Sequence, residues 1–248
     1  MSQTVQRALA VLDRLGESPC GLGEVAADLG VHKSTALRLL QALTAGGFAR
    51  RLPDGRYTVG FGLIALGQRA LDGLELHAAA HPHLLALGER LEHTLHLGQL
   101  IDDDVVYVDK IDGQGAVRMY SRIGRPLPLH ASAIGKVVLA HLPAPARERL
   151  MRRVTYEAFT PGTITTDEGL RAALAEVAAR GWAEDAGEFE DYANSVAVPV
   201  FDRRGQVCAG LSLTALRALA GLDVLRDHLP ALRDTAAEIS RDLGWTGR

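Results

Sequence analysis

The sequence predicts an α+β chain in two parts, a small and mostly helical module followed by a larger domain in which helices pack on a sheet. Three observations predict it. Apolar residues recur at helical spacing up to Gly46, with one sharp break at Gly30. Pro53-Asp54-Gly55 then separates two short β-prone runs in the manner of a hairpin turn. From Thr94 onward the apolar period changes to two.

Val5, Leu9, Leu12 and Leu15 lie on one face of a first helix that ends near Gly16. Leu22, Val25, Ala26 and Leu29 give a short second helix terminated by Gly30. Ser34 or Thr35 is the candidate N-cap of a third helix, whose apolar positions Ala36, Leu37, Leu39, Leu40 and Leu43 run to Gly46. Two helices meeting at a glycine turn make a helix-turn-helix: Ala26 is small where the helices cross, and Gly30 supplies a positive φ. Strands over 48–52 and 56–59 follow, carrying Arg50, Arg51 and Arg56 as a basic wing.

A weakly stable amphipathic helix over 61–80, interrupted by glycines, links the parts, and a second helix runs over 81–93. An antiparallel meander is expected over 94–101, 105–111 and 116–122, turning at Asp102-Asp103-Asp104. Helices are expected over 132–142, 144–152 and from the N-cap Thr166 to 180, strands over 196–201 and 206–214, and a closing helix over 222–243. The expected boundaries are a winged helix-turn-helix over 1–62, a linker helix over 63–77 and a second domain over 78–248.

Composition sets the class. The chain has 248 residues, 47% hydrophobic and 23% charged, a balance able to bury a core. Residues 1–66 carry seven Lys/Arg against five acids, whereas the other 182 carry 20 against 25, so a basic module precedes an acidic body. No apolar run reaches membrane-spanning length and the first 15 residues do not resemble a signal peptide, so a cytoplasmic location is expected. Cys20 and Cys208 have no companions at zinc spacing and read as buried thiols. The histidines, His130 among them, read as structural, with no pair at metal spacing; neither a metal nor a cofactor is expected.

His32, Lys33, Ser34, Thr35 and Arg38 occupy the start of the third helix, the part of a helix-turn-helix that meets base edges and phosphates in the major groove. Arg38, one turn on from Ser34, is the expected guanine contact, and Arg51 and Arg56 on the wing suit phosphates. Without DNA, the same residues would be the solvated face of a protein-interaction winged helix. In "SRIGRPLPLHASAIGKVVLAHL" the small residues Ala131 to Gly135 open a helix whose start could hold an anion, or could simply pack tightly on a sheet. Ser212 and Thr214 share a strand face, which Ser195 can join from a neighbouring strand. The carboxylates of "WAEDAGEFEDYANS" read as a solvated loop. No nucleophile elbow, zinc-protease motif or P-loop occurs, so an enzyme is not expected.

The stretches "VQRALAVLDRL", "GLGEVAADLGVHKSTALRLLQALTAGGFARR", "TLHLGQLIDDDVVYVDKIDG", "RIGRPLPLHASAIGKVVLAHL", "TPGTITT" and "VAVPVFDRRGQVCAGLSLT" together resemble the isocitrate-lyase-regulator (IclR) family of bacterial transcriptional regulators over nearly the whole chain. "YVDKIDGQGAVRMYSRIGRPLPLHASAIGK" is most similar in appearance to the 2-keto-3-deoxygluconate regulators of that family. The resemblance implies a DNA-binding regulator, in most such cases a repressor, with a GAF-like effector domain that takes a keto or sugar acid, and a homodimer or homotetramer on double-stranded operator DNA. It also implies a pocket of Met119, Leu127, Ala133, Ile134, Asp185, Ser195, Ser212 and Thr214. Tyr192 stands where glycine is usual in the family, which implies a narrower pocket. The alternative is a winged-helix protein-interaction module fused to a small-molecule-binding or enzymatic domain.

Overall fold

The structure, a computed structural model, describes residues 2–72, 75–113 and 121–247. Two compact units are present, Met1–Gly73 and Leu74–Arg248. Among the described residues no helix is long and apolar enough to cross a membrane.

In the first unit, α1 (Gln3–Glu17), α2 (Leu22–Asp28) and α3 (Lys33–Ala45) precede a hairpin of β1 (Ala49–Arg51) and β2 (Tyr57–Val59), and α4 (Gly62–Asp72) follows. Val11, Leu15, Val25, Ala36 and Leu40 are buried together with Ala49 and Tyr57 of the hairpin, so wing and helices share one core. At the break after α2, Gly30 takes φ +60°. The N–H groups of Gly30 and Val31 donate to Ala27 O and Ala26 O, both at 3.0 Å, which satisfies carbonyls that the helix end leaves open.

Two features differ from the sequence reading. The N-cap of α3 is His32, whose Nδ1 accepts from Ser34 N at 3.4 Å. Because the imidazole supplies that acceptor, Ser34 and Thr35 lie inside the first turn. In addition, Cys20 and Tyr57 exchange two backbone hydrogen bonds (3.0 and 2.8 Å), adding a rung beside β2 that ties the α1–α2 connection to the wing. A single rung has no period, so nothing in the apolar pattern marks it.

The second unit contains α5 (Glu75–Gly88), β3 (Thr94–Ile101), β4 (Asp104–Ile111), α6 (Ala133–His141), α7 (Ala144–Met151), α8 (Asp167–Arg180), β5 (Ala183–Asp185), β6 (Ala193–Phe201), β7 (Val207–Leu216), α9 (Leu222–Asp227) and α10 (Leu229–Asp242). The strands form an antiparallel sheet in the order β4-β3-β7-β6-β5. Leu95, Leu97, Val196, Val198, Leu211 and Leu213 bury one face against Leu84 and Leu87 of α5 and Leu232 and Ile239 of α10. The other face meets α6 and α8 through Ile134, Val137, Leu170 and Leu174. Period-two alternation along β3, β6 and β7 thus supplies two separate cores, one on each side of the sheet.

The break expected between Ala80 and His81 does not occur: α5 runs through it, with Pro82 inside the helix. An interior proline costs about 3 kcal/mol. Burial of Leu76, Ala80, Leu84 and Leu87 along one face offsets that cost. Conversely, the closing helix is divided at His228, since Pro230 has no N–H and is accommodated in the first turn of α10. The edge strand β5 falls in the acidic stretch expected to be a loop. The third meander strand expected over 116–122 lies outside the described residues up to 120; beyond it, Pro126 bridges to Val106 of β4.

Candidate functional site

On α3, His32, Lys33, Ser34 and Arg38 are exposed and Thr35 is half-buried. Ser34 and Arg38 stand one turn apart and share a face. Arg51 and Arg56 are exposed on the hairpin. Arg56 Nε lies 2.8 Å from Asp54 Oδ2, and its backbone N–H donates to Asp54 Oδ1 at 3.0 Å. These bonds, the backbone one foremost, hold the Asp54 carboxyl below its usual range. The Arg51 guanidinium stacks 5.9 Å from the Tyr57 ring and donates to Gly55 O. Tight turn chemistry therefore pre-orients both wing cations in the protein alone.

In the second unit a cavity forms where α6 starts over the sheet. Its floor is a strip of cross-strand neighbours: His96 opposite Ser212, Thr214 opposite Ser195, and Ser195 opposite Asp185. Two residues along from His96 and Ser212, Gly98 pairs with Gly210. A Cβ on Gly98 would stand 2.8 Å from Ile134 Cγ2, and one on Gly210 would stand 2.9 Å from Val137 Cγ1. Only glycines allow α6 to lie this close to the strands. Ser132 caps the helix, accepting from Gly135 N at 3.1 Å and donating to Pro128 O at 2.7 Å. The N–H groups of Ala133 and Ile134 have no intrahelical partner and carry the positive end of the helix dipole.

Leu127, Ala133, Ile134, Asp185, Ser195, Ser212 and Thr214 all border this one cavity. Met119 lies outside the described residues. His96, Tyr107, Ser121, Arg125, Phe189 and Glu190 also line it and were not anticipated. His96, expected as a structural residue, is hydrogen-bonded and also borders the cavity. Its position between Leu95 and Leu97, both buried on the opposite face, was a period-two signal for the floor. Arg125 and Glu190 come from irregular segments, where no period exists to read. Tyr192, 45% exposed, stands on the turn before β6 instead of filling the cavity.

Burial, with a smaller push from Lys110, lowers the His96 pKa to about 3, so its ring is neutral. Its nitrogens lie 2.6 Å from Ser121 Oγ and 3.3 Å from Thr214 Oγ1. Burial raises the Tyr107 hydroxyl, with further upward contributions from Glu190 and Asp185. Asp185 is pushed up to about 7, by burial first, although it accepts from Glu188 N at 2.6 Å. The acidic stretch is therefore not a solvated loop. Glu188 meets the buried Lys136 ammonium of α6 at 2.5 and 2.6 Å, and its carbonyl accepts from Thr163 Oγ1 at 2.6 Å. Thr160 and Thr163, from "TPGTITT", thus pin the segment beside the cavity.

The absence of a histidine pair at metal spacing is also corrected. His77 and His81 stand four residues apart on α5, their rings stacked 5.3 Å apart. A helix break between Ala80 and His81 would put them on different elements; the continuous α5 puts them on one.

Residues 4–53 match the IclR helix-turn-helix domain and residues 68–241 the C-terminal domain of bacterial IclR transcriptional regulators. The chain is 36% identical to the HTH-type transcriptional regulator KdgR of Escherichia coli K12, covering 98% of this chain and 93% of that one. It is 36% identical to the regulator XynR of the same organism, covering 98% of each. Among solved structures, the Thermotoga maritima IclR superposes with a TM-score of 0.85 at 31% identity, covering 98% of this chain and 99% of that one. An IclR homologue from Microbacterium hydrocarbonoxydans, in complex with 4-hydroxybenzoate, superposes with a TM-score of 0.79 at 26% identity, covering 97% and 99%. With a winged helix-turn-helix in one unit, a capped helix over a hydroxyl-lined sheet in the other, and family matches spanning both, the chain belongs to the IclR family of bacterial transcriptional regulators.

Proposed function

We propose that the protein is a cytoplasmic repressor that binds operator DNA through α3 and its wing and is controlled by a small carboxylate, such as a keto or sugar acid, held in the cavity of the second unit. The observation that carries the effector class is the Ser132-capped start of α6 facing a strip of neutral donors. A carboxylate there meets the Ala133 and Ile134 N–H groups and the hydroxyls of Ser195, Ser212 and Thr214, while Asp185 accepts from ligand hydroxyls. Arg125 at the rim adds attraction. The 4-hydroxybenzoate complex of a homologue supports a carboxylate. Leu127 forms the apolar wall in this reading; Met119, which the family resemblance adds, lies outside the described residues.

On the DNA side, Arg38 reads a base, His32, Lys33, Ser34 and Thr35 contact backbone and base edges, and Arg51 and Arg56 hold phosphates. The working division is a DNA-binding domain over 1–62, a linker over 63–77 and an effector domain over 78–248, assembled as a homodimer or homotetramer so that two recognition helices meet two half-sites. Effector acts by its different affinity for two poses of those helices. The protein acts as a regulator and not as an enzyme in this reading, in which the Ser132 hydroxyl caps α6 and donates to Pro128 O.

The test pairs two measurements. Arg38→Ala should weaken binding to a duplex selected by the wild-type chain from random sequence by about 5- to 150-fold at fixed salt. Unchanged affinity would remove α3 from the interface. In a thermal-shift screen of keto, sugar and aromatic acids, a true effector raises the midpoint with concentration. No shift with any acid ends the carboxylate assignment.

A further inference from the structure

On the face of the sheet opposite the cavity, the β3–β4 register slips between Leu97 and Gly98, leaving Val108 as an extra residue in β4. Up to the slip, Val105 and Tyr107 face α6 and the cavity. After it, Asp109, paired with Leu97, and Ile111, paired with Leu95, face α5. The bulge thus turns a carboxylate that strict alternation would send into the cavity toward the helix on the other side. Asp109 is 2% exposed, and two imidazoles of α5 converge on it. His81 Nδ1 lies 2.8 Å and His77 Nε2 3.8 Å from the same Oδ2 atom. Spacing of four residues puts both rings on one helix face, and all the candidate donor atoms lie within 4.8 Å of one another.

We propose that His77, His81 and Asp109 form a binding site for a divalent transition-metal ion, with zinc as the fitting ion. A tetrahedral zinc with bonds of about 2.0–2.2 Å holds its donors about 3.3 Å apart, and the two separations to Asp109, 3.8 and 2.8 Å, bracket that value. Two imidazole nitrogens and one carboxylate suit zinc or cobalt over magnesium or calcium, which take all-oxygen sets. Three protein donors leave one position for water or a further ligand. The Lys110 N–H donates to Asp109 Oδ1 at 2.8 Å, orienting the carboxylate as outer-shell bonds orient metal ligands. The His81 side chain is 42% exposed, which gives an ion a way in. His83, on the same helix, offers a contrast. Its two nitrogens go to two different carboxylates, Asp242 and Glu238, and share no common point.

The test uses the full-length, untagged chain titrated with cobalt(II), then zinc(II). One equivalent of cobalt should give the intense visible absorption of a tetrahedral site and be displaced by zinc. His77→Asn, His81→Asn and Asp109→Asn should each reduce cobalt affinity at least tenfold, and His83→Asn should leave it unchanged. Circular dichroism of each metal-free variant checks folding. Histidine-selective ¹⁵N NMR of the wild type identifies the ligated rings with no substitution. Shifts confined to His77 and His81 support the site. No cobalt binding, shifts at other histidines, or full affinity in a folded His77→Asn/His81→Asn variant overturns it.

Discussion

Lys136 Nζ and Glu188 Oε1, 2.5 Å apart and both shielded from solvent, join the helix above the cavity to the segment that follows β5. Burial works to raise the Glu188 carboxyl while the ammonium opposes it, so neither charge is well solvated without the other. Lys136→Met should lower unfolding free energy by about 3–5 kcal/mol, because it leaves a buried carboxylate unpaired. Adding Glu188→Leu should recover most of that loss. Urea denaturation of the two variants measures both, and a double variant no more stable than the single one would show that the pair is not the cause.

Asp185 and His96 give opposite slopes to stability against pH. With a folded pKa near 7, above its unfolded value, Asp185 binds protons more tightly when folded. Its penalty is absent below about pH 4, grows as pH rises toward 7, and is complete above that. Asp185→Asn keeps the Oδ1 acceptor for Glu188 N, so it should raise the melting temperature at pH 8 and leave it little changed at pH 4.

His96, held neutral down to about pH 3, charges more readily when unfolded, so it stabilises fully above about pH 6.5 and progressively less on acidification. His96→Asn should therefore flatten the loss of stability between pH 6 and about 4, at a rate of up to roughly 1.4 kcal/mol per pH unit. Thermal unfolding across pH 4–7 for wild type and variant reads the difference. Parallel curves would mean the imidazole is solvated.

Gly98→Ala should cost about 1–3 kcal/mol, since its Cβ would meet Ile134 Cγ2 at 2.8 Å in a packed layer. Because that methyl is the obstacle, Ile134→Ala in the same chain should be less destabilising than it is in wild type. A double-mutant cycle by chemical denaturation reports the coupling; purely additive losses would place the contact elsewhere.

Gly30→Ala should destabilise the first unit by about 1 kcal/mol, as φ +60° disfavours a Cβ even though the space around it is open. The operator affinity of the folded fraction should remain. A loss of affinity at unchanged stability would instead mean that Gly30 itself approaches DNA.

Much of this protein was legible in the chain order. Apolar spacing defined α1 to α3 and the long strands, because each element buries one face and its period is local. Ser212 and Thr214 were placed together by the same rule, and the family resemblance added Leu127, Ala133, Ile134 and Asp185, whereas His96, Tyr107, Ser121, Arg125, Phe189 and Glu190 came only with the structure. What the sequence alone did not determine depends on distant partners. α5 stays continuous through Pro82 because the sheet beneath it is apolar. Asp185 and Glu188 look like a solvated acidic run until Lys136, 52 residues from Glu188, is brought against it. His77, His81 and Asp109 converge only because one extra residue in β4 reverses which way the strand's side chains point. Periodicity is set by near neighbours and can be read in one dimension, whereas the charge state and partners of a buried polar group are set by whatever the fold packs against it.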